Sequence, residues 1–158
     1  MSSRDKFYKL LTSYKFPIYL LLNLPSAFFS GIRIKECTEE KCTTSVPYKW
    51  LTKNPFRSTY FASLAMAAEM STGVLILSNI YKRKPAISML VVKMEAAYFK
   101  KATAVTWFTC DDGIKIKEAI SAAGKEKEGK IIMVRSIGKN KNQEAVAEFL
   151  FTWSIKEK

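Results

Sequence analysis

The segment from Ser58 to Ser78 constrains this chain most strongly, because Glu69 is its only charged residue. The residues around Glu69 are apolar or small on nearly every helical face, and a helix that is apolar all round is a buried one. An ionised carboxylate is costly in such surroundings unless it is paired or reaches a polar cleft. Glu69 is therefore either a satisfied structural group or a working acid or base.

The same segment also resembles a membrane-spanning helix. Tyr60 to Leu77 is almost long and apolar enough to cross a bilayer. Glu69 lies near its middle, polar and small residues dilute it, and strand-like patterns follow it. We therefore predict a buried core helix wrapped by a sheet, with no membrane span.

The rest of the chain supplies that sheet. Residues from Phe7 onward recur at helical spacing, and Pro17 is predicted to end this first helix. Ile18 to Phe29 is interpreted as irregular or short helical structure docking on the core. The further predictions are strands at Gly31–Glu36 and through Val46, Tyr48 and Trp50, a helix from about Arg57 to Ile80, strands at Ala86–Phe99 and Thr103–Cys110 with Lys100–Lys101 as a hairpin tip, a helix at Ile114–Ala123, a charged loop at Gly124–Gly129, and strands at Lys130–Ile137 and Ala145–Ile155.

The last strand has the clearest pattern, with Ala147, Phe149, Phe151, Trp153 and Ile155 on one face. Short turns between neighbouring strands indicate an antiparallel sheet, and one long helix against it is an α+β arrangement. With 158 residues, we expect a single domain over 1–158.

The net charge of +12, from 26 Lys and Arg against 14 Asp and Glu, favours anionic partners. Nucleic acid, anionic lipid and a phosphorylated ligand such as coenzyme A remain open on this evidence. The positive charge is scattered, with short clusters at 82–84 and 100–101. Most of it is expected to be solvated surface.

The sequence contains no histidine, which excludes Ser-His-Asp and Cys-His catalysis and HExxH zinc sites. Cys37, Cys42 and Cys110 are an odd number, and Cys37 and Cys42 are spaced to face each other across a hairpin. We predict free thiols, no metal site and no cofactor. Without a recognisable secretory signal, the predicted compartment is the reducing cytoplasm.

The central segment and the order of elements resemble the hotdog fold, in which an antiparallel sheet wraps one long helix. The segment is similar to an uncharacterised branch of the acyl-CoA thioesterase-like superfamily. The family's pattern stands here as Asn54, Ser58-Thr59, Ala62-Ser63-Leu64, Ala67-Ala68-Glu69 and Gly73. Two family glycines are replaced by Ser58 and Ala62, and the zone where relatives often carry histidine reads Arg57, Tyr60 and Phe61.

This resemblance implies an acyl-thioester site. Glu69 would activate water or attack directly, and Asn54 would orient the water or the carbonyl. Unpaired backbone N–H groups near Thr59, Tyr60 and Phe61 would hold the developing oxyanion. Substrate contacts are predicted at Arg57, Ser58, Thr59, Tyr60 and Phe61, and coenzyme A phosphate contacts at Lys82, Arg83, Lys100 and Lys101.

Nine residues separate Tyr60 from Glu69, about 13 Å of helix, so one subunit cannot easily bring both to one carbonyl. The resemblance implies that the site lies at the interface of a homodimer, or of a dimer of dimers, with the carboxylate donated by the other chain.

Simpler roles remain open for each candidate. Glu69 could be a paired structural charge, Asn54 before Pro55 could serve a turn, and the lysines could be solvated surface. Two other functions also remain open: acyl or coenzyme A binding without catalysis, and binding of nucleic acid or a membrane surface. Against nucleic acid, the sequence contains no RNA-binding glycine motif, helix-turn-helix signature or zinc cluster.

Overall fold

The computed structural model describes residues 3–123 and 129–158 as one antiparallel sheet and its helices. The elements are α1 Ser3–Leu11, α2 Lys15–Asn23, α3 Pro25–Ser30, β1 Arg33–Cys37, β2 Cys42–Val46, a short 3₁₀ turn Trp50–Thr52, α4 Phe61–Ile80, β3 Ile87–Tyr98, β4 Thr106–Cys110, α5 Gly113–Ala123, β5 Lys130–Lys139 and β6 Ala145–Glu157. The strands stand in the order β1-β2-β4-β5-β6-β3, and each neighbouring pair is antiparallel. The predicted α+β class is confirmed.

Helix α4 lies against β2, β4, β5 and β6, held by its small polar residues as well as by apolar packing. Ser71 Oγ is 2.8 Å from Ser136 Oγ on β5, and the Trp153 indole N–H on β6 donates to Thr72 Oγ1 at 3.1 Å. Thr44 Oγ1 on β2 donates to the Ala67 carbonyl at 2.6 Å. These bonds satisfy polar groups that burial would otherwise penalise.

By length and composition alone, α4 could cross a membrane, but 67% of its most apolar window is buried inside the fold. This is the burial expected of a core helix. The sheet face under it is the one predicted for the last strand, because all five of the predicted residues are buried: Ala147, Phe149, Phe151, Trp153 and Ile155.

Strand β3 occupies one edge of the sheet, and among the described strands it pairs with β6 alone. The prediction that Lys100–Lys101 forms a hairpin tip between β3 and β4 is therefore wrong. Strand β4 lies between β2 and β5, so the connection after Tyr98 crosses to another part of the sheet. Sequence adjacency suggested a hairpin, but β6 supplies a longer apolar partner for β3.

The N-terminal region forms three short helices. The first helix, predicted to continue to Pro17, is divided into α1 and the start of α2, whereas the short helical structure predicted for Ile18 to Phe29 is present in α2 and α3. Pro17 does not end a helix; it is the third residue of α2, within the first turn, where a missing N–H costs no helical hydrogen bond. Trp50 begins the 3₁₀ turn, so β2 ends earlier than predicted, at Val46. The predicted charged loop lies outside the described residues except for Gly129.

The cysteines form a row across three strands, because Cys37 pairs in register with Cys42 and Cys42 with Cys110. The predicted approach of Cys37 and Cys42 is confirmed. A hydrogen bond with Cys37, then burial, raises the pKa of Cys42, and burial raises the pKa of Cys110 to about 12. All three thiols are free in the structure, and within 3–123 and 129–158 no cluster of potential ligands is arranged for a metal ion.

Candidate functional site

A cavity of about 520 Å³ opens at the N-terminus of α4. Its volume falls within the usual range for small-molecule pockets. The lining is mostly aromatic and aliphatic, and it comes from the turn before α4, the first turns of α4 and the segment after β3. The lining residues are Asn54, Pro55, Phe56, Ser58, Thr59, Tyr60, Phe61, Leu64, Tyr98, Phe99, Lys100, Lys101 and Ala102.

Asn54 organises the turn that leads into this cavity. Its Oδ1 accepts hydrogen bonds from the backbone N–H groups of Phe56 at 2.9 Å and Ser58 at 3.2 Å. The Ser58 hydroxyl lies 3.1 Å from its amide nitrogen and 3.2 Å from Oδ1, and Asn54 also lines the cavity. The side chain of Asn54 therefore serves the turn while also lining the site.

Arg57 does not line the main cavity. It borders a separate shallow pocket with Tyr48, Lys53, Asn54 and Pro55, and its φ of 59° is left-handed. The structure thus brings Asn54, Ser58, Thr59, Tyr60 and Phe61 to one cavity but turns Arg57 away from it.

The predicted backbone donors require a correction. The N–H of Thr59 donates to the Ala102 carbonyl at 2.8 Å, and that of Tyr60 donates to the Thr52 carbonyl at 2.7 Å. Both are used to hold the turn, so neither can receive an oxyanion. Within the described chain, the N–H groups of Phe61 and Ala62 bond to no protein acceptor, and no side chain caps α4. The helix dipole makes this end favourable for negative charge.

Glu69 lies outside the cavity, eight residues into α4 from Phe61, or about 12 Å along the axis. Its carboxylate is half-buried, and no side chain in the described ranges pairs with it or hydrogen-bonds to it. Burial raises the pKa of this carboxyl group. A structural ion pair, the simpler role left open by the sequence, is absent among these residues.

Gly73 makes room for this carboxylate on the side of α4 that faces β6. A Cβ at Gly73 would lie 3.0 Å from Glu69 Oε1 and 3.5 Å from the Trp153 ring. Trp153 in turn pairs with Val91 on the edge strand β3. Glu69 Oε1 and the Trp153 ring therefore lie next to the same position on α4, beside β6, whose neighbour on one side is the edge strand β3.

Gly73→Ala is expected to lower the rate of hydrolysis without lowering the stability of the fold. Alanine favours a helix interior over glycine by about 0.8–1 kcal/mol, and the new methyl group meets the movable end of Glu69. We expect the free energy of unfolding to stay level or rise by about 0.5 kcal/mol, while any reaction needing the present carboxylate position slows by about tenfold. Urea denaturation and turnover on the same variant would measure both. A large loss of stability would show that Gly73 is required for packing instead.

The raised pKa of Glu69 predicts opposite pH trends for stability and for base catalysis. The protonated form is favoured in the fold, so its contribution to stability is full below the unfolded pKa and is lost as pH rises through the folded pKa. A base must be ionised, so turnover should rise over that same range. Melting temperature and kcat/KM from about pH 4 to 8 test this, and the Glu69→Gln variant should lose this component of the melting profile.

The four predicted phosphate contacts fall at two ends of the molecule. Lys100 and Lys101 line the cavity; Lys100 pairs with Glu144, and Lys101 Nζ donates to the Phe56 carbonyl at 3.4 Å. Lys82 and Arg83 follow the C-terminus of α4, about 30 Å from its start. Within one protomer, these two pairs cannot contact the same phosphate group.

Sequence reasoning missed the hydrophobic lining of the cavity, above all Phe56, Tyr98 and Phe99. Their signal was present: Phe56 stands inside the motif turn, and Tyr98-Phe99 precedes the two lysines. Hydrogen bonds from Thr59 to the Ala102 carbonyl join the two segments. Strand β3, which ends at Tyr98, pairs with β6, and that pairing was not predicted.

Comparisons with known proteins agree with this architecture. Residues 19–155 match the family described as Domain of unknown function (DUF4442). No functionally curated protein matches the sequence. Among solved structures, a Pseudomonas aeruginosa protein of unknown function described as a probable thioesterase superimposes with a TM-score of 0.77 at 16% identity, covering 98% of this chain and 95% of its own.

Two further structures extend the similarity. The Escherichia coli PaaI protein from the phenylacetic acid degradation operon has a TM-score of 0.67 at 13% identity, covering 96% of this chain and 94% of its own. A Haemophilus influenzae thioesterase has a TM-score of 0.65 at 12% identity, covering 89% and 88%. At these identities the similarity establishes the fold, and the predicted hotdog architecture is confirmed.

Proposed function

This chain belongs to the DUF4442 family, and we propose that it binds and hydrolyses acyl thioesters, of the acyl-CoA type, at a site shared by two subunits. The observation that carries the proposal is an aromatic cavity at the start of α4 together with the Glu69 carboxylate on the same helix, for which the described residues supply no partner. The thioesterase-like structural relatives support it. In this proposal, residues 1–158 act as one soluble, cytoplasmic domain.

The chemistry needs only these parts. The apolar cavity holds the acyl chain, and the N–H groups of Phe61 and Ala62 receive the thioester carbonyl oxygen as it gains negative charge. Glu69 removes a proton from water while the water oxygen bonds to the carbonyl carbon. When the tetrahedral intermediate collapses, the C–S bond breaks, and the sulfur takes the proton held by Glu69 and leaves as a thiol. The other product is the carboxylic acid, which releases its proton to water.

Glu69 reaches the cavity only from a second copy, because about 12 Å of helix separates it from Phe61 in its own chain. The open edge of β3 offers the surface for that copy. It is 12 residues long, and it exposes Leu90, Val92, Met94 and Tyr98. A long, exposed, hydrophobic edge strand is a template for pairing with another strand.

Charges on β3 favour one register for this pairing. Lys93 and Glu95 lie two residues apart on the face away from α4, with their charged atoms 3.2 Å apart. An antiparallel pair centred on Met94 brings Lys93 opposite Glu95 of the partner subunit, and the reverse. Opposite charges directly across an antiparallel pair are stabilising.

In that register, Tyr98 at the cavity lies near residues 89–90 of the partner subunit's β3. These residues neighbour Val91, which pairs with Trp153 beside Glu69. Glu69 of the partner subunit then approaches the cavity across two strand spacings, about 10 Å in the sheet. The strand pairing that satisfies the free backbone groups of β3 thus also completes the site, in a homodimer or a dimer of dimers.

The same arrangement gives the lysines at the cavity a role in binding coenzyme A. Lys100 and Lys101 would contact the phosphates of coenzyme A, with Lys82 and Arg83 contributed by the partner subunit because β3 pairs antiparallel. We expect Lys100→Gln with Lys101→Gln to weaken coenzyme A binding by about tenfold, measured by calorimetry. Lys139→Gln with Lys141→Gln removes equal charge elsewhere and should change it little. If both double variants weakened coenzyme A binding equally, the effect would come from net charge and not from contacts at the cavity.

A panel of acyl-CoA substrates with thiol detection tests the function itself. Hydrolysis of one chain-length class above the uncatalysed rate is the expected result. Tight binding without hydrolysis would instead support the non-catalytic alternative, favoured by the use of Asn54 Oδ1 in its own turn. Affinity for any DNA duplex, falling steeply with salt and without coenzyme A binding, would support a nucleic-acid binder, which we do not expect.

A further inference from the structure

The two helices α2 and α3 expose an apolar surface that the proposed site does not use. Residues 16–32 contain no charged side chain. Some of them enter the core, as Phe16, Leu20, Ala27 and Ile32 do. Six large apolar residues remain exposed, with fractions from 40% for Leu21 to 75% for Leu22: Ile18, Tyr19, Leu21, Leu22, Leu24 and Phe29.

This surface continues onto the 3₁₀ turn, because α3 packs against Trp50–Thr52. Trp50 and Leu51 are also exposed there. We refer to α2, α3 and this turn as the N-terminal apolar face. Contiguous exposed apolar area of this kind marks an interaction site.

The charged residues that flank α2, α3 and the 3₁₀ turn most closely in the sequence are cations. The sequence has no acidic residue between Asp5 and Glu36, nor from Lys41 to Ala68. Lys15 begins α2, and the Arg33 guanidinium lies 5.7 Å from the centre of the Phe28 ring. The Lys49 ammonium lies 2.9 Å from the position a Cβ would take at Gly31, at the end of α3.

We propose that the N-terminal apolar face docks on the surface of a membrane containing anionic phospholipid. Leucine, tyrosine, tryptophan and phenylalanine side chains enter the boundary between headgroups and acyl chains, while the cations contact lipid phosphates. Helix α2 has nine residues, about 13 Å, so it lies on the bilayer without spanning it.

The charges favour lipid over a second copy of the chain as the occupant of this face. A two-fold pairing through one face sets the same patch against itself, and so brings the rim cations of both copies together. An anionic bilayer complements those cations instead. The edge strand β3, which carries self-complementary charges, is the surface suited to a second copy.

Vesicle sedimentation tests the docking surface. The full chain should bind phosphatidylcholine vesicles containing about 30% phosphatidylserine, and bind pure phosphatidylcholine more weakly. Leu22→Gln replaces a 75% exposed side chain, so it should fold normally yet weaken binding by about tenfold. Ile131→Gln, at 67% exposure on β5, is the matched control and should bind like the wild type.

A charge comparison completes the test. Lys15→Gln with Lys49→Gln should weaken binding to anionic vesicles about tenfold, whereas Lys141→Gln with Lys156→Gln should have little effect. Absence of vesicle binding by the wild type, or equal losses in test and control variants, would overturn the proposal. So would self-association that Leu22→Gln abolishes, since a second copy would then cover the face.

Discussion

Glu69→Gln is expected to lower thioester turnover by about 10²–10⁴, the usual effect of losing a general base. Glutamine keeps the size and shape of the side chain but cannot accept the proton from water. The melting temperature at neutral pH should stay level or rise slightly, because the half-buried carboxylate has no partner in the described ranges to lose. Initial rates and thermal melts on the same preparation measure both effects.

A structural role for Glu69 predicts the opposite pattern. Breaking a buried ion pair leaves an uncompensated charge and typically costs about 3–5 kcal/mol. Unchanged turnover with a large fall in melting temperature would therefore exclude Glu69 as the base. Glu118→Gln removes the same charge from an exposed position on α5 outside the cavity lining, and it serves as the control.

Lys93→Glu is expected to dissociate the dimer and thereby to abolish hydrolysis. In the register centred on Met94, this change replaces two favourable Lys–Glu pairs with two repulsive Glu–Glu pairs. Each cross-strand pair contributes about 0.2–1 kcal/mol, so the two lost attractions and two new repulsions together lower the dimer affinity by about fourfold to nearly a thousandfold. Sedimentation velocity across a dilution series measures the change.

The charge swap sharpens this test. Lys93→Glu combined with Glu95→Lys reverses both charges and restores complementarity in this register alone. The double variant should regain the dimer and most of the activity, although each single variant loses them. If the double variant remains a monomer, or if neither single change affects assembly, the proposed register is wrong.

Much of the fold was predictable because local patterns and tertiary packing agree. The last strand alternates apolar and polar residues, and every residue assigned to its inner face is buried. The uniform hydrophobicity of α4 indicated a helix enclosed by a sheet, and that is where it lies. The β1–β2 hairpin followed from its turn, and it brings Cys37 to Cys42.

The failures lie where long-range pairing overrides local pattern. Nothing near Lys100 indicates that β3 pairs with β6, almost 50 residues later, so the segment between β3 and β4 was taken for a hairpin. Pro17 suggested a helix end because the sequence does not show that a new helix begins at Lys15, which places Pro17 in the first turn of α2. The oxyanion donors were misassigned because the N–H groups of Tyr60 and Thr59 bond to the carbonyls of Thr52, in the preceding 3₁₀ turn, and of Ala102, beyond β3.

The candidate site was predictable only in part for the same reason. The motif identified Asn54 and the start of α4, and the helix pattern identified Glu69. The cavity itself also depends on Tyr98 and Phe99, at and just after the end of the edge strand β3, which the motif does not include. A single sequence also does not show which side of α4 carries the Glu69 carboxylate. In the structure, it lies beside Gly73, near the Trp153 ring.

Hybrid dimers test most directly whether two subunits share the site. Phe61→Pro removes one unbonded N–H at the first position of α4, where proline is well tolerated, and Tyr60 before it already has an extended ψ of 136°. Phe61→Ala controls for loss of the ring. Both Phe61→Pro and Glu69→Gln homodimers should be nearly inactive.

The decisive measurement is turnover by a purified hybrid of one Phe61→Pro subunit and one Glu69→Gln subunit, co-expressed with two different tags. In a shared site, the intact cavity of one chain meets the intact Glu69 of the other, so one of two sites works and turnover returns to about half the wild-type value. If Glu69 served the cavity of its own chain, both sites would remain defective. A hybrid no more active than the parent homodimers would contradict the shared site.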